Sequence, residues 1–560
     1  MHPRSRPIIQ ATCESGLCSF DHHRAMDTER GRYTYLGTPK TTFLMHSLRT
    51  NTRVIITATL ASTLLLSALL YASDVPSAAL QFVAPSYYSL PPKGSWPTQC
   101  SPDQFSDGAW ELKAPESYPL EHFLSLYPYN ASDPEAMKKV YTPTPEVARD
   151  PLAPLGFAGC ASGRERTWHL GMSEDGTPDH NHNDLWEYVV RGASYDWVPR
   201  SQSCRIYNEK VEAEDFVTML IERGGWFFVG DSVTEQHFFS MSCMLYPHVR
   251  ATPDYAPTGG SGPRDWPQHL YRKSLVNPSS PLLTQLKLPH GFDIDRTPLV
   301  TFRRVDLLFD THELDSIHLE MHRNDNANGS VPDTLFGPKA SESYNLSPKT
   351  YLDQFMLPLP EGNYKTLIVS TAGHWTTGSL PGARDPEDVQ AGATNPGVYK
   401  TFVEAVRVWT DQVSRALSAD TRAREVLVRA YLPGHEYDCH KESGPLTQVR
   451  EFSQEWYNWS WIGRMNEAFK VGLLLFCHGR TKIAECLSLF QAAIAQKGDS
   501  RIKFLGLDKM ALLRPDAHSL SDCLHIQIGA GIFEGWSRYI WHLGDDMTKL
   551  GRTRLGQVRL

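Results

Sequence analysis

A short tract in the middle of the chain, Gly230-Asp231-Ser232, follows the apolar run Trp226-Phe-Phe-Val and opens onto VTEQHFFSMSCML. A buried strand that ends in Gly-Asp-Ser and turns straight into a helix presents the Ser232 hydroxyl at a helix N-terminus. Free backbone N–H groups and the helix dipole there favour a developing oxyanion, and Gly230 permits the tight turn. This is chemistry for a serine nucleophile, although Asp-Ser ahead of a helix is also an ordinary N-cap. Near the C-terminus, Asp522-Cys-Leu-His525 precedes a second helical segment, IFEGWSRYIWHL. A serine nucleophile needs a base, and an imidazole base needs a partner that fixes its tautomer and stabilises its cation. Asp and His three residues apart can lie on one side of a helical turn, so a single segment could supply both. A lone D-x-x-H reads equally as a surface turn.

The elements that must position these groups follow from periodicity. Apolar runs rich in β-formers recur at Trp226–Val229, Leu367–Ser370, Val426–Ala430 and Lys503–Leu507. Helical patterns alternate with them over 213–223, 233–246, 399–418, 480–496 and 533–543. In 399–418, Phe402, Ala405, Val406, Trp409, Val413 and Leu417 recur near every 3.6 residues and form one apolar face. Strands alternating with helices predict an α/β fold with a mostly parallel sheet covered on both faces. The Pro- and Gly-rich stretches 247–300 and 322–362 are expected to be long loop insertions over the strand ends, where such folds keep their sites.

The Gly-Asp-Ser and Asp-x-x-His segments together follow the logic of SGNH/GDSL-type hydrolases, and over about residues 100–543 the chain resembles the trichome-birefringence-like/PC-esterase family. The resemblance rests on six ordered blocks. These are Cys100…Phe105…Gly108-Ala-Trp110; Trp197-Val-Pro199…Cys204; Gly230-Asp231-Ser232; Gly373-His374-Trp375; Arg429-Ala-Tyr431-Leu-Pro433-Gly-His435; and Met510…Leu513-Arg514-Pro-Asp516-Ala-His518 ahead of Asp522 and His525. It implies an SGNH-like three-layer sandwich, with Ser232 as nucleophile, His525 as base and Asp522 as its orienting acid. It also implies an oxyanion or substrate-binding set drawn from Gly230, Asp231, Gly373, His374, Arg429 and His435. The oxyanion donors would be the backbone N–H of Ser232 and a group near Gly373. Asp516 and His518 sit beside the dyad and are read as supporting it. The chain departs from the family at three places: Ser370-Thr371-Ala372 stand where an Asn is usual, Glu235 stands where Arg is frequent, and Ile526-Gln527 replace Trp-Cys.

Composition narrows the setting. Of 560 residues, 41% are hydrophobic and 21% charged, which excludes wholesale disorder and a multi-span transporter. A net charge of −8 argues against a nucleic-acid partner. Residues 54–72, VIITATLASTLLLSALLYA, carry no charge and as a helix would rise about 28 Å, close to a bilayer's hydrocarbon thickness. Eight Lys/Arg against four Asp/Glu precede this stretch, so the positive-inside bias predicts a single-pass type II anchor with the remainder in the Golgi or secretory-pathway lumen. The expected organisation is a largely disordered cytosolic tail over 1–53, the anchor over 54–72 and a Pro-rich stalk over 73–98. An irregular cysteine-containing extension over 99–205, the catalytic domain over 206–545 and a tail over 546–560 follow. Cys13 and Cys18 precede the span; the other eight cysteines follow it and fit up to four lumenal disulfides. No C-x-x-C occurs, and His180/His182 and Cys439/His440 lack partner spacing, so no metal site is expected. Asn130, Asn328, Asn345 and Asn458 head N-x-S/T tripeptides.

The resemblance and the anchor together imply an O-acetyltransferase that moves an acetyl group onto a polysaccharide or glycan hydroxyl through an acetyl-serine. No bound cofactor is expected, only an acetyl donor as co-substrate and a carbohydrate acceptor. A carbohydrate acetylesterase would use the same triad, and a membrane-tethered glycan-binding protein would keep the fold without turnover. Trp110, Trp168 and Trp197 are candidates to stack on sugar faces or to pack the irregular region.

Overall fold

The computed structural model describes residues 100–113, 191–252, 271–323, 334–337, 343–383, 396–435, 439–451, 459–474, 499–519 and 522–557. The chain divides into two units, Met1–Leu90 and Pro91–Leu560, and all of these residues lie in the second. The anchor at 54–72, the stalk, Trp168 and the helix expected over 480–496 lie outside the described residues. Among the described residues no helix is long and apolar enough to cross a membrane.

The fold is mixed α/β, built around a seven-stranded, mostly parallel sheet. Strands β1 (Gly108–Leu112) and β2 (Tyr195–Pro199) form a separate antiparallel pair. The central sheet comprises β3 (Gly225–Gly230), β4 (Val249–Thr252), β5 (Tyr271–Val276), β6 (Val300–Arg304), β7 (Tyr364–Ser370), β8 (Glu425–Arg429) and β9 (Ile502–Leu505). Its order is β4-β5-β6-β3-β7-β8-β9. From β6 to β9 all neighbours are parallel, whereas β4, β5 and β6 pair antiparallel. The expected parallel strands are β3, β7, β8 and β9. Each is a run of mostly apolar residues because a parallel strand covered on both faces has no side to leave polar. The stretch 247–300 differs from expectation: it holds β4 and β5, so part of it is sheet.

The longer helices among the described residues are α1 (Ala213–Arg223), α2 (Ser232–Met244), α3 (Thr311–Met321), α4 (Pro348–Phe355), α5 (Pro396–Ala419), α6 (Trp459–Leu474) and α7 (Ile532–Gln557). Alternation along β3 shows which helices cover each face of the sheet. Trp226 and Phe228 meet Phe216 of α1 and His237 of α2 edge-on, whereas Phe227 turns to Phe355 of α4. The apolar stripe read in α5 is the buried one: Phe402, Ala405, Trp409 and Val413 are fully covered. In α2 every residue from Ser232 to Cys243 is buried, polar ones included, because α7 packs on its other side.

The extension before residue 206 is pinned to the core. Cys100 and Cys204 form a disulfide, and the Tyr539 hydroxyl of α7 donates to the Cys100 carbonyl at 3.0 Å. Trp110 and Trp197 are buried against each other edge-to-face at 5.4 Å and donate to the carbonyls of Met510 and Phe105. Their role is packing, since neither ring is open to a sugar.

Candidate active site

Ser232 is the first residue of α2, directly beyond the C-terminal end of β3. Asp231 caps the helix, its Oδ1 accepting from the Val233 N–H at 3.1 Å. Gly230 is required by close approach: a Cβ there would run into the Ser370 carbonyl and the Thr234 hydroxyl. The chain therefore leaves β3, turns at once and aims the serine out of the strand end.

His525 arrives from an irregular segment nearly three hundred residues later. Its Nε2 lies 2.8 Å from Ser232 Oγ, and its Nδ1 lies 2.7 Å from Asp522 Oδ2. The same carboxylate accepts the backbone N–H of Leu524 at 2.8 Å and of His525 at 2.7 Å through Oδ1. Burial pushes the Asp522 carboxyl up, but the hydrogen bonds and the charge of His525 outweigh it and hold the group well below the ordinary carboxylate range. Asp522 is thus an acceptor on both oxygens. With the Nδ1–H turned toward Asp522, His525 Nε2 is left as the acceptor for the Ser232 hydroxyl proton. Ser232 and His525 are each 7% exposed, so the pair meets solvent through a narrow opening.

The segment holding His525 is clamped to α2. Gln236, one turn on from Ser232, donates through Nε2 to the Ile526 carbonyl at 2.8 Å and accepts the Ile526 N–H at 3.1 Å. Glu534 accepts from the Gly529 and Gly531 N–H groups and from the Ser240 hydroxyl of α2. The Cys439–Cys523 disulfide ties the residue next to Asp522 to the loop after β8. Cys243 is also disulfide-bonded, with a partner outside the described residues. Cys439, His440 and Cys523 bring donor atoms within 4.8 Å of one another. The two sulfurs are bonded to each other, so they carry no thiolate for a metal ion.

The remaining expected residues divide. His374 stands beside the site, its side chain 28% exposed, and its Nε2 lies 3.5 Å from Arg304 Nη2. Arg304 is paired with Asp306 and faces Glu235 at 3.8 Å. Burial alone would lower the Arg304 pKa, but Asp306 and Glu235 hold the guanidinium charged. Because β6 and β7 flank β3, this bridge crosses above the strand end that carries Ser232. Gly373 packs where a Cβ would strike the Tyr431 hydroxyl. Within Ser370-Thr371-Ala372, Thr371 sends its hydroxyl to the Asp306 carbonyl at 2.6 Å, away from an oxyanion role.

Arg429 and His435 stand apart from this set. Arg429 is buried, stacks on Trp536 at 4.4 Å and reaches Thr234 at 3.4 Å; burial lowers its pKa to about 10. His435 has both ring nitrogens engaged, with His518 and with the Leu512 carbonyl. His435 therefore has no ring nitrogen left for a substrate, and Arg429 is turned inward, 1% exposed, with Nε and Nη1 unpaired. Asp516 is locked in a buried ion pair with Arg514, which stacks on Trp110. Arg304, Asp306 and the Gln236 clamp escaped sequence reading. The one signal was a pair of arginines ending the apolar run Val300-Thr-Phe, and its meaning depends on which strand lies next to β6.

A groove of about 420 Å³ lies on β4 and β5, lined by Arg250, Tyr271, Lys273, Arg296 and Glu361. Arg296 and Glu361 precede β6 and β7, so it belongs to the opposite end of the parallel strands from Ser232. No family model matches the chain, and no curated protein is significantly similar to it.

Proposed function

We propose that the protein is a serine-dependent O-acetyltransferase with an SGNH-like three-layer fold, acting on carbohydrate hydroxyls in the secretory-pathway lumen. The observation that carries this reading is the hydrogen-bonded chain Ser232 Oγ–His525 Nε2 and His525 Nδ1–Asp522, closed at 2.8 and 2.7 Å. Ser232 Oγ attacks the carbonyl carbon of an acetyl donor while His525 Nε2 takes its proton, and the donor's leaving group departs with that proton. The acetyl-serine is then attacked by a sugar hydroxyl, which gives its proton to His525. Ser232 leaves and recovers the proton. Asp522 stabilises the imidazolium formed in each half-reaction. The Ser232 N–H at the start of α2 supplies one oxyanion donor, and the group near Gly373 the other.

Support for the acceptor class is the six-block resemblance to the PC-esterase family together with the apolar run at 54–72. Low exposure of Ser232 favours transfer over hydrolysis, because excluded water cannot compete with the sugar hydroxyl. The test is incubation of the full chain with a chromogenic acetyl ester, with and without oligosaccharide, followed by mass spectrometry of Ser232. Acetyl on Ser232 that moves to the oligosaccharide is expected. Rapid ester hydrolysis unaffected by sugar would select the esterase. Equal inertness of wild type and Ser232→Ala would remove the enzyme reading.

A further inference from the structure

Behind the base lies a pair of imidazoles that this mechanism does not use. His435 Nε2 lies 3.0 Å from the Leu512 carbonyl, His435 Nδ1 lies 2.5 Å from His518 Nε2, and His518 Nδ1 lies 3.1 Å from the His525 carbonyl. His518 is fully buried and His435 nearly so. Both ends of this chain are carbonyl oxygens, which only accept. His435 Nε2 and His518 Nδ1 must therefore each carry a hydrogen, and a third hydrogen must lie between the rings. Two neutral imidazoles carry two N–H groups. Three bonds need three, so the observed geometry is complete only when the pair holds one extra proton. A second extra proton would set N–H against N–H.

We propose that His435 and His518 are positioning residues that act as one shared-proton unit, holding the backbone of His525 so that its ring faces Ser232. The proposal rests on the acyl-transfer reading of Ser232, His525 and Asp522. The bond from His518 to the His525 carbonyl acts together with the Ser519 N–H on the same oxygen at 2.7 Å and the Gln236 clamp on Ile526. When the pair gives up its proton, two lone pairs face each other between the rings. One ring must then turn its N–H inward and release a carbonyl, and the longest of the three contacts is the one to His525.

The surroundings set the direction of titration. Burial lowers the pKa of both rings, His518 well below the usual imidazole range. At His435, the Leu512 carbonyl, Asp516 and Glu442 favour the proton and Arg450 opposes it. At His518, the neighbouring His435 and also His440 oppose it, while the His525 carbonyl and Asp522 favour it. The proton is therefore held toward acidic pH and lost as pH rises, so kcat declines with rising pH as the pair gives it up.

The test has two arms. In the first, ring-nitrogen NMR follows the histidines of the full chain, carrying Ser232→Ala, from about pH 5 to about pH 8. A single proton uptake that moves both rings with one midpoint, and that disappears from His518 in His435→Gln, is expected. Independent midpoints, or two rings neutral throughout, would overturn the pair. In the second arm, His518→Asn keeps a non-titrating donor for the His525 carbonyl, and its kcat should lose the decline that loss of the shared proton causes. His518→Phe, which keeps the ring volume without the donor, should lower kcat by about 10- to 100-fold with KM unchanged. An unaltered pH dependence of kcat in His518→Asn would overturn the positioning role. If Ser232→Ala proves as active as wild type, the acyl-transfer reading fails, while the NMR arm still decides on the pair. The same arm decides should the Phe variant not fold.

Discussion

Ser232 stands on two regular elements, the fully buried β3 and the fully packed first turns of α2. His525 and Asp522 stand on an irregular segment whose place comes from cross-links to distant parts of the chain: Gln236, His518, Glu534 and the Cys439–Cys523 disulfide. Regular elements hold a side chain through hydrogen bonds repeated along the backbone, so no single neighbour is decisive. A loop has few such bonds, and each tertiary tie carries a larger share of the geometry. On the proposed mechanism, damage around Ser232 should therefore be chemical, and damage around His525 should be positional.

The largest effect expected is that of Ser232→Ala, about a 10⁶-fold fall in kcat on an acetyl ester, with the unfolding midpoint little changed. Asp522→Asn should cost about 10⁴-fold by allowing the wrong tautomer of His525. Its Oδ1 can still accept the Leu524 and His525 N–H groups, so the fold should survive; an activity loss accompanied by unfolding would contradict that reading.

A sharper test of the comparison is Gln236→Leu, which removes both bonds to Ile526 at similar volume. It should lower kcat by about 10- to 100-fold while leaving KM nearly constant. If it behaves as wild type, the clamp is not what positions the base. The Cys439–Cys523 and Cys100–Cys204 disulfides form a matched pair for the same purpose. Loss of either, through Cys439→Ser or Cys100→Ser, should cost about 2–5 kcal/mol in chemical denaturation. Only Cys439→Ser should also lower the kcat of the folded fraction, because only that bridge adjoins Asp522.

The smallest effect concerns His237 of α2. Burial holds its pKa well below the usual value, with the Arg429 charge adding to the shift. The unfolded chain takes up a proton below about pH 6.5 that the native state refuses, so stability falls as pH drops, by at most about 1.4 kcal/mol per pH unit. Melting curves of His237→Gln should show a shallower acid decline than wild type.

Four of the five parallel strands were legible as mostly apolar runs, and α5 as a stripe, because burial on one face or two leaves a local imprint on residue order. Strand β6 and the antiparallel strands β5 and β4 beyond it were not. Arg272 is buried over the Phe239 ring at 5.1 Å, and Arg304 against Asp306, so both read as solvent-facing charges until their partners are known. The two tryptophans of the extension left stacking and packing open for the same reason.

From the order of residues alone came the strand-to-helix turn that places Ser232 at a helix N-terminus and the three-residue spacing that lets Asp522 reach His525, since both are properties of a few adjacent peptide units. That these two segments meet, 2.8 Å apart across 293 positions, was decided by the tertiary structure. So was the division of the remaining candidates, with His374 beside the site and Arg429 and His435 turned into the interior. Those outcomes depend on the order of strands in the sheet and on which buried polar groups find one another, and neither is a property of any local stretch of chain.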